Sequence, residues 1–214
     1  MGADVDIVNA ARTSYAKEVD SLSEKDERLV AFLWRDKHYS VFRHCVLSLE
    51  VRAPLMIARQ WWKHAVASSH WESQNGWNEN SRRYVTEEPE FYIPAGGEWR
   101  TKPANSKQGS GEPLSEDKGV LWTGYLESYL EQGEALYNKA MEAGIAPEMA
   151  RLFLPAYGLY VNWRWTASLE SVINFLNLRN DDHAQREFDE YTQGLTTIVN
   201  QHFPVIGDLI REGK

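Results

Sequence analysis

The sequence predicts an α+β fold in which a mixed or antiparallel sheet is flanked by helices. Three observations point there. Residues 45–52 alternate, with Cys45, Leu47, Leu49 and Val51 on one face and Val46, Ser48, Glu50 and Arg52 on the other; this is the period of a half-buried strand. Residues 157–166 alternate in the same way, Tyr157, Leu159, Val161, Trp163 and Trp165 against Gly158, Tyr160, Asn162, Arg164 and Thr166. Around these, helical periodicity and capping residues give the order helix, strand, helix, strand, helices, strand, helices. At 214 residues the chain suits one domain, expected over 1–214 with a long surface loop at about 94–117.

The elements follow in order. Residues 4–16 read as short and mixed. Ser23, three residues before Asp26, caps a helix whose inner stripe is Leu29, Phe32 and Leu33. A polar turn at 38–44 leads into the first strand. Pro54 suits the first turn of the next helix, where a missing N–H costs nothing. Along that helix Gln60, Lys63, His64 and Ala67 fall at i, i+3, i+4 and i+7, so Gln60, Lys63 and His64 are expected to point into one cleft. Residues 68–80, rich in Ser, Asn, Gly and Trp, read as a loop. A second strand is expected over 85–93. Ser115 caps a helix ending near Gly144, with Leu121, Tyr125, Tyr129, Gln132 and Leu136 as its apolar stripe. Pro147 opens a helix that Pro155 stops, with Arg151 in its middle. Ser168 caps a further helix, and Arg179 lies at that helix's end, where a cation suits the dipole. A last long helix starts at Asp181-Asp182-His183, with Phe188, Tyr191, Leu195, Ile198 and Val199 inside.

Composition narrows the function. The net charge is −8 and the pI about 5.3, which argues against a nucleic-acid groove. Within this acidic chain, Arg59, Lys63, Arg82 and Arg83 cluster with His64, a local cationic patch that suits an anion such as phosphate. Nine Trp and ten Tyr supply core and also flat rings for stacking. Cys45 is the only cysteine; an intrachain disulfide and a zinc ribbon are excluded, and Cys45 reads as a core thiol rather than a nucleophile. No run of about 18 apolar residues and no signal-peptide or myristoylation pattern is seen, so a cytoplasmic protein without membrane association is expected. His70-Trp71-Glu72 lacks the Cys-x-x-Cys partner of a zinc deaminase, and no metal is expected. No GxGxxG, P-loop or G-x-S-x-G occurs.

Arg59-Gln60-Trp61-Trp62-Lys63-His64, followed by Asn78-Glu79-Asn80-Ser81-Arg82-Arg83-Tyr84, resembles the signature region of the flavin-dependent thymidylate synthases. The likeness extends through residues 53–61, Glu90-Phe91-Tyr92-Ile93-Pro94, Ala150-Arg151, Asn174-Phe175-Leu176-Asn177-Leu178-Arg179 and His183-Ala184-Gln185. It implies a homotetramer with sites shared between subunits. It implies FAD as cofactor, NADPH and methylenetetrahydrofolate as co-substrates, and methylation of dUMP to dTMP, with the hydride passing from NADPH through FAD. By position, Gln60, Lys63, Ser81, Arg82, Arg83, Arg151 and Arg179 would hold dUMP, with Arg179 and Ser81 closest to the chemistry. Ser14, Ser40, Lys63, His64, Glu79, Asn174 and His183 would face flavin. The sequence departs from the family at Lys63-His64-Ala65, where Arg-His-Arg is usual, in a longer spacer at 69–77, and at Ser168 and Glu170 in place of Asn and Arg. The longer loop, with His70, Trp71 and Trp77, is expected to stack on flavin or folate. Two other readings stand beside this one: flavin-dependent modification of another pyrimidine nucleotide, and a non-catalytic nucleotide-binding relative.

Overall fold

The computed structural model describes residues 2–64, 88–104, 109–180 and 184–211, together with the backbone of 76–79. In chain order the elements are α1 (Asp4–Arg12), α2 (Glu24–Arg35), β1 (Val46–Pro54), α3 (Leu55–Trp61), β2 (Gly76–Glu79), α4 (Glu116–Glu142), α5 (Pro147–Ala150), β3 (Tyr160–Ser168), α6 (Leu169–Arg179), α7 (Asp189–His202) and α8 (Pro204–Arg211). The strands form one sheet in the order β1-β3-β2. β1 and β3 run antiparallel: Leu169 N–H reaches Cys45 O at 2.8 Å, and Leu55 N–H reaches Leu159 O at 2.9 Å. The α+β expectation holds. Of the second strand expected over 85–93, residues 85–87 lie outside the described residues. Among the described residues of 85–93 only Phe91 bridges, to Leu159, and β2 lies instead within the stretch expected to be a loop.

The chain divides into two compact units, one of Met1–Leu49, Trp62–Trp77 and Arg164–Lys214, the other of Glu50–Trp61 and Asn78–Trp163. In the first, residues 4–12 form a full helix. Asp4 and Asp6 sit in its first turn, where acids favour the dipole, and Ile7 and Val8 are buried. Ser23 caps α2 as expected: its N–H and its hydroxyl both donate to Asp26 Oδ2, at 2.9 and 2.6 Å. Arg12 pairs with the other oxygen. Asp26 is thereby held below the usual carboxylate range, chiefly by Ser23. Turning Asp26 inward rotates the helix, so its inner face is Val30, Leu33 and Trp34. Phe32 is left 42% exposed, stacked on His38 at 5.9 Å. The long C-terminal helix is also broken. A 3-10 turn at Arg186–Phe188 precedes α7, and Pro204, which has no N–H to continue a ladder, opens α8 instead.

In the second unit α4 runs for 27 residues, close to its expected bounds, but with a different inner face. Gly119, Leu130, Gly133, Tyr137 and Ala140 pack inward. A Cβ on Gly119 would lie 1.7 Å from the Gly96 carbonyl oxygen, so backbone meets backbone there and only glycine fits. Leu121, Tyr125, Tyr129 and Leu136, the expected core stripe, are 53, 58, 60 and 48% exposed. The chain from 94 to 117 is partly ordered by pairing, with a bridge between Arg100 and Pro113 and Thr101 N–H on Glu112 O at 2.9 Å. After Pro147 the helix tightens into a 3-10 turn at Arg151–Phe153.

Candidate active site

The first unit's site is built at the end of α6. Ser168 caps that helix, its Oγ accepting Ser171 N–H at 3.2 Å. Most of the helix is buried, apolar Leu169, Val172, Ile173, Phe175 and Leu176 together with polar Glu170 and Ser171. Such a helix is fixed on most sides, and its last turn delivers Arg179 at a defined place. Phe175, fully buried, packs against Trp165 and Phe188, each with ring centroids 5.9 Å away. The Arg179 guanidinium lies 4.7 Å over the Phe188 ring, a cation–π contact.

His64 meets Arg179 from the other side. Its Nε2 accepts from Arg179 Nε at 3.2 Å and lies 3.0 Å from Nη2. A guanidinium only donates, so Nε2 carries the lone pair and Nδ1 the proton. The imidazole is 8% exposed and stands edge-on to Phe175 at 4.9 Å. Its backbone carbonyl accepts from Ser171 Oγ at 3.4 Å. Burial, and then the Arg179 charge, push the His64 pKa down to about 4; the ring is neutral at physiological pH. Burial also lowers that of Arg179, which remains a cation.

The expected grouping of Gln60, Lys63 and His64 on one helical face does not form. α3 stops at Trp61, so the i, i+3, i+4 spacing no longer applies, and Lys63 is exposed while His64 is buried. Ser14, in the 3-10 turn Thr13–Tyr15, and Ser40, in the 3-10 turn Tyr39–His44, are exposed; Asn174 is half-buried on α6. One turn before Asn174, Glu170 is 6% exposed, and both its oxygens take the Arg43 guanidinium. This pair raises the Arg43 pKa, first through its hydrogen bond. Arg43 was not singled out in the sequence; 127 residues separate the two partners, and no local pattern links them.

In the second unit, α3 is started by Leu55 N–H on Leu159 O and Met56 N–H on Tyr157 O, at 2.9 and 3.0 Å. Gln60 is half-buried, its Nε2 3.4 Å from Met56 O. Arg151 is exposed, with Nε 3.3 Å from Glu148 O. Ser81, Arg82, Arg83 and His183 lie outside the described residues, as do residues 69–75 of the longer loop, and Glu79 is described only as the last backbone position of β2. Cys45 is fully buried, and burial pushes its thiol up to about 12, against a nucleophilic role. No group of His, Cys, Asp or Glu among the described residues gathers in metal-binding geometry, and none of their helices is long and apolar enough to cross a membrane.

Comparison with known proteins bears on this arrangement. The family described as thymidylate synthase complementing protein matches residues 1–205. A flavin-dependent thymidylate synthase of Thermosipho africanus is 36% identical over 224 residues, covering 100% of this chain and 93% of that protein. The chain belongs to the flavin-dependent thymidylate synthase family. Family members from Thermotoga neapolitana, 36% identical with 99% and 92% of the two chains covered, and Kosmotoga olearia, 34% identical with 96% and 84% covered, agree. Among solved structures, a UMP/dUMP methylase, PolB of Streptomyces cacaoi, bound with 5-Br dUMP, superposes with a TM-score of 0.81. It is 26% identical, with 99% of this chain and 91% of that chain covered. As a family member the protein is a methyltransferase.

Proposed function

We propose that this enzyme methylates dUMP to dTMP, with methylenetetrahydrofolate as the carbon donor and NADPH as the reductant. The observation that carries the reading is Arg179. Its guanidinium is held by the buried His64 and by Phe188 at the end of a rigid helix, in a chain matched along its whole length by thymidylate synthases. A fixed cation stabilises negative charge on N3 and O4 of a uracil ring, which makes C5 electron-rich enough to attack the folate's methylene carbon before losing its proton. The phosphate would be held by Gln60, Ser81, Arg82, Arg83 and Arg151, since arginines take phosphate oxygens in bidentate fashion, and Lys63 adds a point charge.

The donor set of the first unit fits a flavin. Exposed hydroxyls of Ser14 and Ser40, the exposed Lys63 ammonium and the half-buried Asn174 amide are the neutral and cationic donors that a diphosphate and a ring edge require; His64, Glu79 and His183 complete the proposed set. Bound there, FAD would supply hydride transfer from NADPH, and a cation such as Lys63 would favour negative charge on the ring. The Glu170 carboxylate, neutralised by Arg43, does not oppose it.

Self-association belongs to the same reading. Leu121, Trp122, Tyr125, Tyr129 and Leu136 leave an apolar stripe on the outer side of α4, larger than scattered surface apolars. A homotetramer would cover it. The reading is tested by purifying the protein, bleaching its yellow colour with NADPH, and following tritium release from 5-labelled dUMP with folate present. A colourless protein, or bleaching without tritium release, refutes it. One observation favours a second substrate: PolB, one solved relative, is a UMP/dUMP methylase. Competition between UMP and dUMP in the same assay decides between them.

A further inference from the structure

We propose that His64 is a positioning residue for Arg179, setting the orientation of the nucleotide-binding guanidinium by accepting its Nε and Nη2 hydrogens. The inference rests on the reading of Arg179 given above. Three contacts make the imidazole a rigid acceptor. Its ring is edge-on to Phe175, its carbonyl is tied to Ser171, and the same Phe175 packs on Phe188 beneath the guanidinium. Acceptor and platform are therefore locked to one another through a single buried phenylalanine. A guanidinium held at two nitrogens and one face has its remaining N–H vectors fixed, which is what planar recognition of a uracil edge needs.

The choice of histidine has a physical reason. A carboxylate at this position would fix the guanidinium equally well but would cancel its charge. A neutral imidazole orients the cation without itself cancelling the charge. Arg43, held by Glu170 in the same unit, shows the other arrangement.

The test uses flavin-loaded protein with His64→Leu, His64→Gln and His64→Glu. Two quantities are read: dUMP affinity by calorimetry, and the rate of phenylglyoxal modification of Arg179, mapped by mass spectrometry. Loss of the acceptor in His64→Leu is expected to weaken dUMP by about tenfold and to speed Arg179 modification by a similar factor, as removing a buried hydrogen-bond partner does. FAD affinity, measured alongside by fluorescence, separates this loss from an effect of His64 on flavin. His64→Gln, which keeps a neutral acceptor, restores both quantities; His64→Glu restores slow modification but not dUMP affinity. The proposal is overturned if His64→Leu weakens FAD and leaves dUMP and the modification rate unchanged, or if His64→Gln fails to restore either. A wild-type protein that binds no dUMP sinks the functional reading alone, because the modification rates still report whether His64 holds Arg179.

Discussion

Asp4 carries a prediction that runs against the usual expectation for a helix cap. The carboxylate is 2% exposed. Its Oδ2 accepts Val205 N–H at 2.9 Å, capping α8, while Oδ1 is buried without a partner. Burial, opposed by the backbone bonds to Val205 and Ile206 and reinforced by Glu27 and Asp208, raises the pKa from 3.8 to about 6. The folded state thus binds this proton more tightly than the unfolded state. The ionised carboxylate costs stability above about pH 6, and the cost fades as pH falls towards 3.8. A rise of this size corresponds to roughly 3 kcal/mol at neutral pH. Asp4→Asn removes the charge and keeps an oxygen for Val205, but it places an amide where Oδ1 had no partner, returning about 1–2 kcal/mol. The expected net effect is stabilisation by about 1–2 kcal/mol at pH 7.5, shrinking to zero or reversing near pH 4. Urea unfolding of wild type and variant at the two pH values measures it. Destabilisation of equal size at both would refute the reasoning, since it would mean that the cap is needed for its shape and that its charge carries no cost.

Other consequences follow from particular contacts. Gly119→Ala drives a methyl into the Gly96 carbonyl and should cost about 3 kcal/mol or more, read as a lowered thermal midpoint; Gly124→Ala, with nothing within 4 Å of the added Cβ, should be neutral or slightly stabilising. Arg43→Met leaves Glu170 buried without its cation and is expected to cost about 1–3 kcal/mol in urea unfolding, while Arg43→Lys recovers part of it. Cys45, fully buried with its thiol pushed to about 12, should resist a disulfide reagent in the native protein and react at once in denaturant. Tyr125→Glu with Tyr129→Glu should lower the mass seen by light scattering and leave the helical signal intact.

What could be read from the sequence was what its neighbours in sequence determine. Ser168 as a cap and Arg179 in the last turn are local signals, and both hold in α6. The alternation of 45–52 likewise gives β1, because burial on one face leaves its mark every second residue. The inner face of α4 was misread for a reason equally physical. Apolar periodicity marks where large side chains lie, whereas α4 packs through Gly119 and Gly133, whose closeness to other backbone leaves no apolar signature. The His64–Arg179 pair spans 115 residues, and the helical spacing that was meant to place His64 beside Gln60 ends three residues too early, at Trp61. Pro204 announced the break between α7 and α8, but the apolar pattern running up to it masked that signal.

The central claim is that Arg179 serves dUMP methylation. It is tested most directly by mass spectrometry of the nucleotide formed from dUMP, NADPH and folate carrying a deuterated methylene group. The account predicts dTMP carrying the label from wild-type protein, and a loss of about a hundredfold or more in its rate for Arg179→Gln, which removes the cation at the uracil edge. Labelled dTMP formed equally fast by Arg179→Gln, or NADPH consumed by wild type with no labelled dTMP, would contradict it.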